Sequence, residues 1–309
     1  MAMVINTNMA SLNAVRTLDM SSREQATSME RLTSGLRINK AADDAAGLAV
    51  ATGMTTQIMG TEQAIRNAND GIGLIQTLDG ASEEVVDMLQ RMRELAIQSM
   101  NGTYSMDNRR QMQAEVRQLQ LEIQRVADTT KFNGMNIMNN SSFGSGVASA
   151  TFGAISAQAL SAINDLNSAL KIHAGWEAQS GKNRITIPLM DFTTISAATS
   201  AMFLASGGTS TYASAVQLAS VALSVINQGI SVLNTMRANW GAIQNRLEST
   251  VSNLANVNEN IQASRSRIMD ADFARESANL ARTQVLQQAG MSMLSQANQQ
   301  SQQVISLLQ

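Results

Sequence analysis

The chain has 309 residues, a formal net charge of −2, no cysteine, one histidine and one proline. Only 3% of residues are aromatic, and the lysines are Lys40, Lys131, Lys171 and Lys182, with no Lys/Arg run. Disulfide and thiolate chemistry is therefore excluded, and nucleic-acid binding, which needs a basic stripe to neutralise phosphates, is disfavoured. No continuous apolar run reaches the roughly 18 residues of a membrane span. Met1–Leu12 holds no basic residue and no continuous apolar stretch, so an exported chain is expected to leave without a cleaved signal peptide. Ala, Ser, Asn, Gln and Met stand where aromatics usually do, and small residues let helices approach closely while Met fills irregular gaps. With Pro188 the lone helix breaker, long helical rods are favoured over a compact ball.

Residues 1–35 are expected to form a helix carrying Met9, Leu12, Val15, Ala26, Met29 and Leu32 on one side. Residues 36–60, with Gly47, Gly53 and Gly60, are expected to be a connector with short helical pieces. Thr61 then caps a long helix over 62–99, striped by Ile65, Ala68, Ile72, Ile75, Ser82, Val86, Leu89 and Ala96. Asn101-Gly102 ends it. Ser105 caps the next helix, with a stripe at Met112, Val116, Leu119, Ile123 and Val126 and an end at Asn133-Gly134. So short a turn implies an antiparallel helical hairpin.

Residues 138–210 differ, with Phe143, Phe152, Trp176, Phe192 and Phe203 among many Ser, Thr and Gly. Lys171–Gly175 and Arg184–Leu189 are expected to pair as a β-hairpin across Ser180-Gly181, with Ile185 and Ile187 on one face and Pro188 at a sheet edge. Short helices are expected over 155–170 and 193–204. A long helix follows over 212–265, striped from Ile226 through Trp240 to Ile261, and Asp270–Asp272 cap a terminal helix over 273–308.

The terminal helix carries two seven-residue rows. Leu286, Met293 and Leu307 form one, interrupted by Gln300; Gly290, Ala297 and Val304 form the other. A seam needs a partner, and lone sticky helices at both tips point to association with other copies. The fold class expected is mainly α: an elongated antiparallel helical bundle and coiled coil with paired terminal helices and a small central β-hairpin. The helices at 62–128 and 212–265 make a self-sufficient bundle, whereas residues 1–40 and 270–309 are expected to be poorly ordered in an isolated chain and to fold on assembly.

Ordered runs at both ends carry a family resemblance. Ile5–Asn8 (INTN), Glu30–Asn39 (ERLTSGLRIN), Ala41–Ala49 (AADDAAGLA), Asn67–Gly73 (NANDGIG) and Gln90–Gln98 (QRMRELAIQ) resemble the amino end of bacterial flagellin. Gly241–Arg246 (GAIQNR), Asn253–Asn256 (NLAN), Ala263–Ile268 (ASRSRI), Asp270–Leu280 (DADFARESANL) and Gln284–Gly290 (QVLQQAG) resemble its carboxyl end, finished by Ala297–Gln299 and Ser306–Leu308. The resemblance implies an extracellular filament subunit used for swimming, exported by the flagellar type III route. It implies a coiled-coil core domain at 1–40 and 270–309, a helical shell domain at 41–137 and 212–269, and a partly β, surface-facing region at 138–211. Implied partners are other copies of the chain, the filament cap, hook–filament junction proteins, an export chaperone at the C-terminal helix and the vertebrate Toll-like flagellin receptor. A junction protein or a stand-alone surface adhesin are the alternative readings. The self-assembly residues are Met9, Leu12, Val15, Met29, Leu32, Leu286, Met293, Ala297, Val304 and Leu307. By resemblance, Gln90, Arg91, Leu95 and Glu115 form a face for the receptor or for neighbouring subunits.

Chemistry-bearing residues are few. His173 has no histidine or cysteine to join it in binding a metal, and no H-E-x-x-H occurs. Asp43-Asp44 could pair as carboxylates, but adjacent helical residues diverge by about 100°, so capping or subunit contact is the better reading. Gly71-Ile72-Gly73 lacks the third glycine and preceding strand of a dinucleotide loop. Neither cofactor nor enzymatic activity is expected. Asn101-Gly-Thr103 and Asn140-Ser-Ser142 fit N-glycosylation triplets, which recur by chance; the resemblance favours O-linked sugars within 138–212.

Overall fold

The structure, a computed structural model, describes residues 8–139, 169–176, 183–190, 192 and 212–306. Among them are five helices: α1 (Met9–Ser34), α2 (Ala45–Met100), α3 (Met106–Thr129), α4 (Tyr212–Met269) and α5 (Phe273–Ser306). Four short strands join them: β1 (Lys131–Phe132), β2 (Met135–Asn136), β3 (Ala169–His173) and β4 (Arg184–Pro188). The mainly helical architecture with a small hairpin is as expected. The expected helices at 155–170 and 193–204, and the Ser180-Gly181 turn, fall outside the described residues apart from the last residues of the first, which belong to β3.

The chain divides into two compact units, Met1–Met59 with Val257–Gln309, and Gly60–Asn256. In the second, α2, α3 and α4 pack as an antiparallel bundle. Arg93 Nε donates to Asn227 Oδ1 at 2.7 Å, and Arg237 Nε to Asp79 Oδ1 at 2.6 Å, which fixes α2 against α4. The core comprises Leu78, Leu89 and Met92 of α2, Val116 and Ile123 of α3, and Ile226, Met236, Trp240 and Leu247 of α4. Part of α4 has the length and hydropathy of a membrane span. Ala219, Ala222, Ile226 and Leu233 within α4 are buried.

Helix α3 begins as expected, with Ser105 Oγ accepting from Asn108 N–H. Its end differs. The helix stops at Thr129, and Asn133-Gly134 instead turns the tight β1–β2 hairpin, with φ of 49° and 78°. Paired positive φ values are what Asn-Gly supplies to a two-residue turn. The β3–β4 hairpin pairs Leu170 with Ile187 and Ile172 with Ile185; Ile185 and Ile187 are buried and Thr186 is half-buried. Pro188 ends β4, where its carbonyl accepts from Trp240 Nε1 at 2.8 Å.

The expected connector at 36–60 is corrected. Helix α2 starts at Ala45 and runs through Thr61, which is fully buried inside the helix and not at its start. Gly60 and Gly71 of α2 mark close approach. A Cβ on Gly60 would lie 2.9 Å from Trp176 Cβ and 3.4 Å from its Cα, so the chain after β3 packs onto helix backbone. At Gly71 a Cβ would meet Ile172 Cδ1. Packing there outweighs the roughly 1 kcal/mol helix penalty of each glycine.

Candidate self-assembly surface

In the unit containing both chain ends, α1 and α5 pair antiparallel. Asn8 caps α1 by accepting from Ser11 N–H, and its Nδ2 donates to the Ala297 carbonyl at 3.0 Å. Ser21 Oγ donates to the Thr283 carbonyl at 3.3 Å, and Arg31 lies 3.8 Å from Glu276. Gly290 admits Leu18, whose Cδ1 lies 3.2 Å from where a Cβ would stand. In this structure the two ends form a pair, held by these contacts and by the joint below; amide exchange in dilute monomer tests the expectation that they order only on assembly.

The inward rows are mostly small or polar, with two leucines on each helix (Leu18 and Leu32, Leu280 and Leu294). Burial recurs at Ser11, Ala14, Leu18, Ser21, Gln25, Ser28 and Leu32 on α1, and at Glu276, Leu280, Thr283, Gln287, Gly290, Leu294 and Ala297 on α5. Both sets step by three and four, so each is one helix face. Most apolar bulk lies elsewhere: Met9, Leu12, Val15, Met20 and Met29 of α1, and Phe273, Val285, Leu286, Met291 and Met293 of α5, are exposed.

This sorts the candidate assembly residues. Met9, Leu12, Val15, Met29, Leu286 and Met293 face outward. Leu32 and Ala297 are half-buried and belong to the inward rows, so Leu32 does not share the stripe expected of it. Val304 lies in α5, and Leu307 is outside the described residues. The sequence pattern alone missed Met20, Val285 and Met291. A signal was available, since Val285 and Met293 lie eight apart on the same helix side.

A joint ties the two ends together at their base. Gly35 caps α1 in the left-handed region (φ 71°), and its carbonyl accepts from Ala271 N–H at 2.9 Å. Arg37 N–H donates to the Met269 carbonyl, and the Arg37 guanidinium donates to the Ile268 carbonyl at 2.7 and 3.2 Å. Asp44 Oδ1 accepts from Gly47 N–H, capping α2, while Asp43 Oδ2 accepts from Asn39 and Lys40 N–H. These backbone bonds to Lys40 and Asn39 hold the Asp43 carboxyl below its usual range. Asp44 therefore caps α2, while Asp43 closes the turn that precedes it. Asp272 caps α5, accepting from Ala274 and Arg275 N–H.

Of the second candidate face, Arg91 and Glu115 come together: Arg91 Nε donates to Glu115 Oε1 at 2.8 Å and its Nη1 to Glu94 Oε2 at 2.9 Å. The bonds to Glu115 and then Glu94 raise the Arg91 pKa. Gln90 is exposed beside it. Leu95 is not part of this surface. It is 2% exposed, because α2 is covered by two other helices and keeps only a narrow outer strip.

His173 ends β3 opposite Arg184, and its carbonyl accepts from Asn67 Nδ2. Among the described residues no three His, Cys, Asp or Glu side chains group as metal ligands. Gly71 and Gly73 lie inside α2.

A paired seam with exposed apolar side chains along both helices defines a class of protein: helical subunits that leave greasy surface uncovered at both chain ends. The comparisons make this specific. The crystal structure of Bacillus cereus flagellin matches with a TM-score of 0.42 at 23% identity, covering 61% of this chain and 88% of that one. The bacterial flagellin N-terminal helical region matches residues 5–143, and the C-terminal helical region matches residues 223–308. A flagellin of Halalkalibacterium halodurans is 38% identical over 99% of this chain and all of its own length. The flagellar filament 31.3 kDa core protein of Treponema maltophilum is likewise 38% identical, over 99% of this chain and all of that protein. The chain belongs to the bacterial flagellin family, whose members are structural proteins and not enzymes.

Proposed function

We propose that the chain is the structural subunit of an extracellular flagellar filament, polymerising through the outward faces of α1 and α5. The observation that carries this is the split between faces. The pair closes its own seam with four leucines among small and polar residues and leaves Leu12, Val15, Leu286 and Met293 exposed. Each such side chain contributes about 1.5–3 kcal/mol when fully buried. A head-to-tail contact of this kind propagates as a helix of subunits without closing. Alternative packings of subunit strands then bend the tube into the corkscrew that converts rotation into thrust.

Under this reading 1–40 with 270–309 form the filament core, 41–137 with 212–269 the next shell, and 138–211 the outer surface. The filament cap and hook–filament junction proteins bind at the filament's ends. Export follows the flagellar type III route, with a chaperone covering the outward row of α5 in transit. The face at Gln90, Arg91 and Glu115 serves subunit contact and recognition by the Toll-like receptor, with Leu95 supporting it from below. The test is seeded growth of purified chain followed by sedimentation. Long fibres support the reading; a chain that stays in the supernatant with seeds at high concentration overturns it.

A further inference from the structure

We propose that the methionines on the outward faces of α1 and α5 are a redox-sensitive modification site: oxidation to sulfoxides in the free chain blocks its addition to a filament, and enzymatic reduction restores it. This rests on the self-assembly reading above.

The chain holds 20 methionines, and the fold sorts them. Met92, Met138 and Met236 are sealed in the core, whereas Met9, Met20, Met29, Met291 and Met293 are between 48% and 63% exposed on the terminal pair. None of the inward rows of that pair contains a methionine. The two surfaces of each terminal helix therefore differ in oxidisability as well as in polarity.

The chemistry is a two-electron oxygen transfer from a peroxide. The thioether sulfur attacks one oxygen of hydrogen peroxide, the O–O bond breaks, the hydrogen on the attacked oxygen passes to the departing hydroxide, an S=O bond forms, and water leaves. Sulfur is oxidised by two electrons, the peroxide is reduced by two, and the side chain stays neutral. The product is a polar sulfoxide that dedicated reductases, one per epimer, convert back. On the free chain the new oxygen is hydrated, and the α1–α5 seam is untouched, so the pair survives. To enter a contact that buries Leu12, Val15, Leu286 and Met293, the same oxygen must shed its water, which opposes addition. Burial in the filament then shields the same sulfurs, so the sensitivity belongs to subunits before they add.

The test uses the full chain, hydrogen peroxide with its subsequent removal, peptide mass spectrometry and seeded growth. Sulfoxide is expected at the five terminal-helix methionines, and also at exposed Met59 and Met135, but not at Met92, Met138 or Met236. The critical concentration of the oxidised chain is expected to rise about tenfold or more, and treatment with both sulfoxide reductases to bring it back. A variant with Met9→Leu, Met20→Leu, Met29→Leu, Met291→Leu and Met293→Leu is expected to grow equally before and after peroxide. Met59→Leu with Met135→Leu is expected to remain as sensitive as the parent chain, which keeps the test decisive if the fivefold variant assembles poorly. Normal growth of parent chain carrying the five sulfoxides overturns the inference and leaves the assembly reading intact. Loss of sensitivity in the Met59/Met135 variant also overturns it. Failure of the untreated chain to grow from seeds overturns the assembly reading itself.

Discussion

Replacing Leu286 and Met293 by alanine separates assembly from folding. In the single chain these side chains are 51% and 63% exposed, so about half of each remains to be buried in a filament. Half of the roughly 2 kcal/mol of a full Leu or Met burial is about 1 kcal/mol each, or about 2 kcal/mol for the double variant. Since about 1.4 kcal/mol is a factor of ten, the critical concentration for seeded growth should rise about 30-fold. Folding should barely change, because exposed substitutions usually shift stability by no more than about 0.5 kcal/mol. Sedimentation of seeded samples across a concentration series gives the first quantity, and denaturant unfolding of monomer gives the second. The matched control is Leu280→Ala with Leu294→Ala, on the half-buried inward row, which should loosen the α1–α5 pair and speed amide exchange over residues 11–32 in the monomer. A critical concentration unchanged within a factor of about two in the outward variant would refute the assignment of faces.

Other perturbations probe separate parts of the account. Removing the last ~20 residues should abolish polymerisation while leaving the bundle of residues 60–256 folded, read by sedimentation and by the fluorescence of buried Trp240. Arg31→Met leaves the buried Glu276 carboxylate without its cation, and should raise amide exchange along α1 and α5 by about tenfold or more. Gly60→Val forces the Trp176 backbone to move and should cost about 1–3 kcal/mol, with a shifted Trp176 emission. Because the folded-state pKa of Asp43 is lowered, its contribution to the joint is present above the ordinary carboxylate range and lost as pH falls through the folded value. Asp43→Asn should therefore speed exchange at Asn39 and Lys40 near neutral pH and make no difference in strong acid. Arg91→Ala with Glu115→Ala should weaken Toll-like receptor signalling without unfolding the bundle, whereas Leu95→Ala should lower stability by about 2–5 kcal/mol.

Much of the fold is local and was readable as such. Ser105, Asp272 and the Asn101-Gly102 turn act through their own few residues, and Ile185 and Ile187 alternate as a half-buried strand must. The pattern failed where tertiary contact outranks propensity. Gly47, Gly53 and Gly60 looked like breaks in a helix, yet Gly60 is an approach point for Trp176; nothing in the structure explains Gly53. Asn133-Gly134 followed a helix closely enough to pass for its stop, and the two-residue strands around it are too short to show alternation. Leu95 is four residues from Arg91 and so shares its side of α2, but periodicity does not say how many neighbours cover a helix. The same blindness affected the ends: spacing identified rows of apolar residues on α1 and α5, and only the paired helices show that Leu18, Leu32, Leu280 and Leu294 meet among small and polar residues while Leu12, Val15, Leu286 and Met293 stay exposed.

The absence of native cysteine allows the central claim to be tested with one probe. Leu286→Cys on the outward face and Leu280→Cys on the inward face can each be alkylated in dilute monomer and in filaments. The account predicts fast labelling at residue 286 in monomer, strong protection there once filaments form, and slow labelling at residue 280 in both. Equal protection of both sites in dilute monomer, or continued fast labelling of residue 286 within filaments, would contradict it.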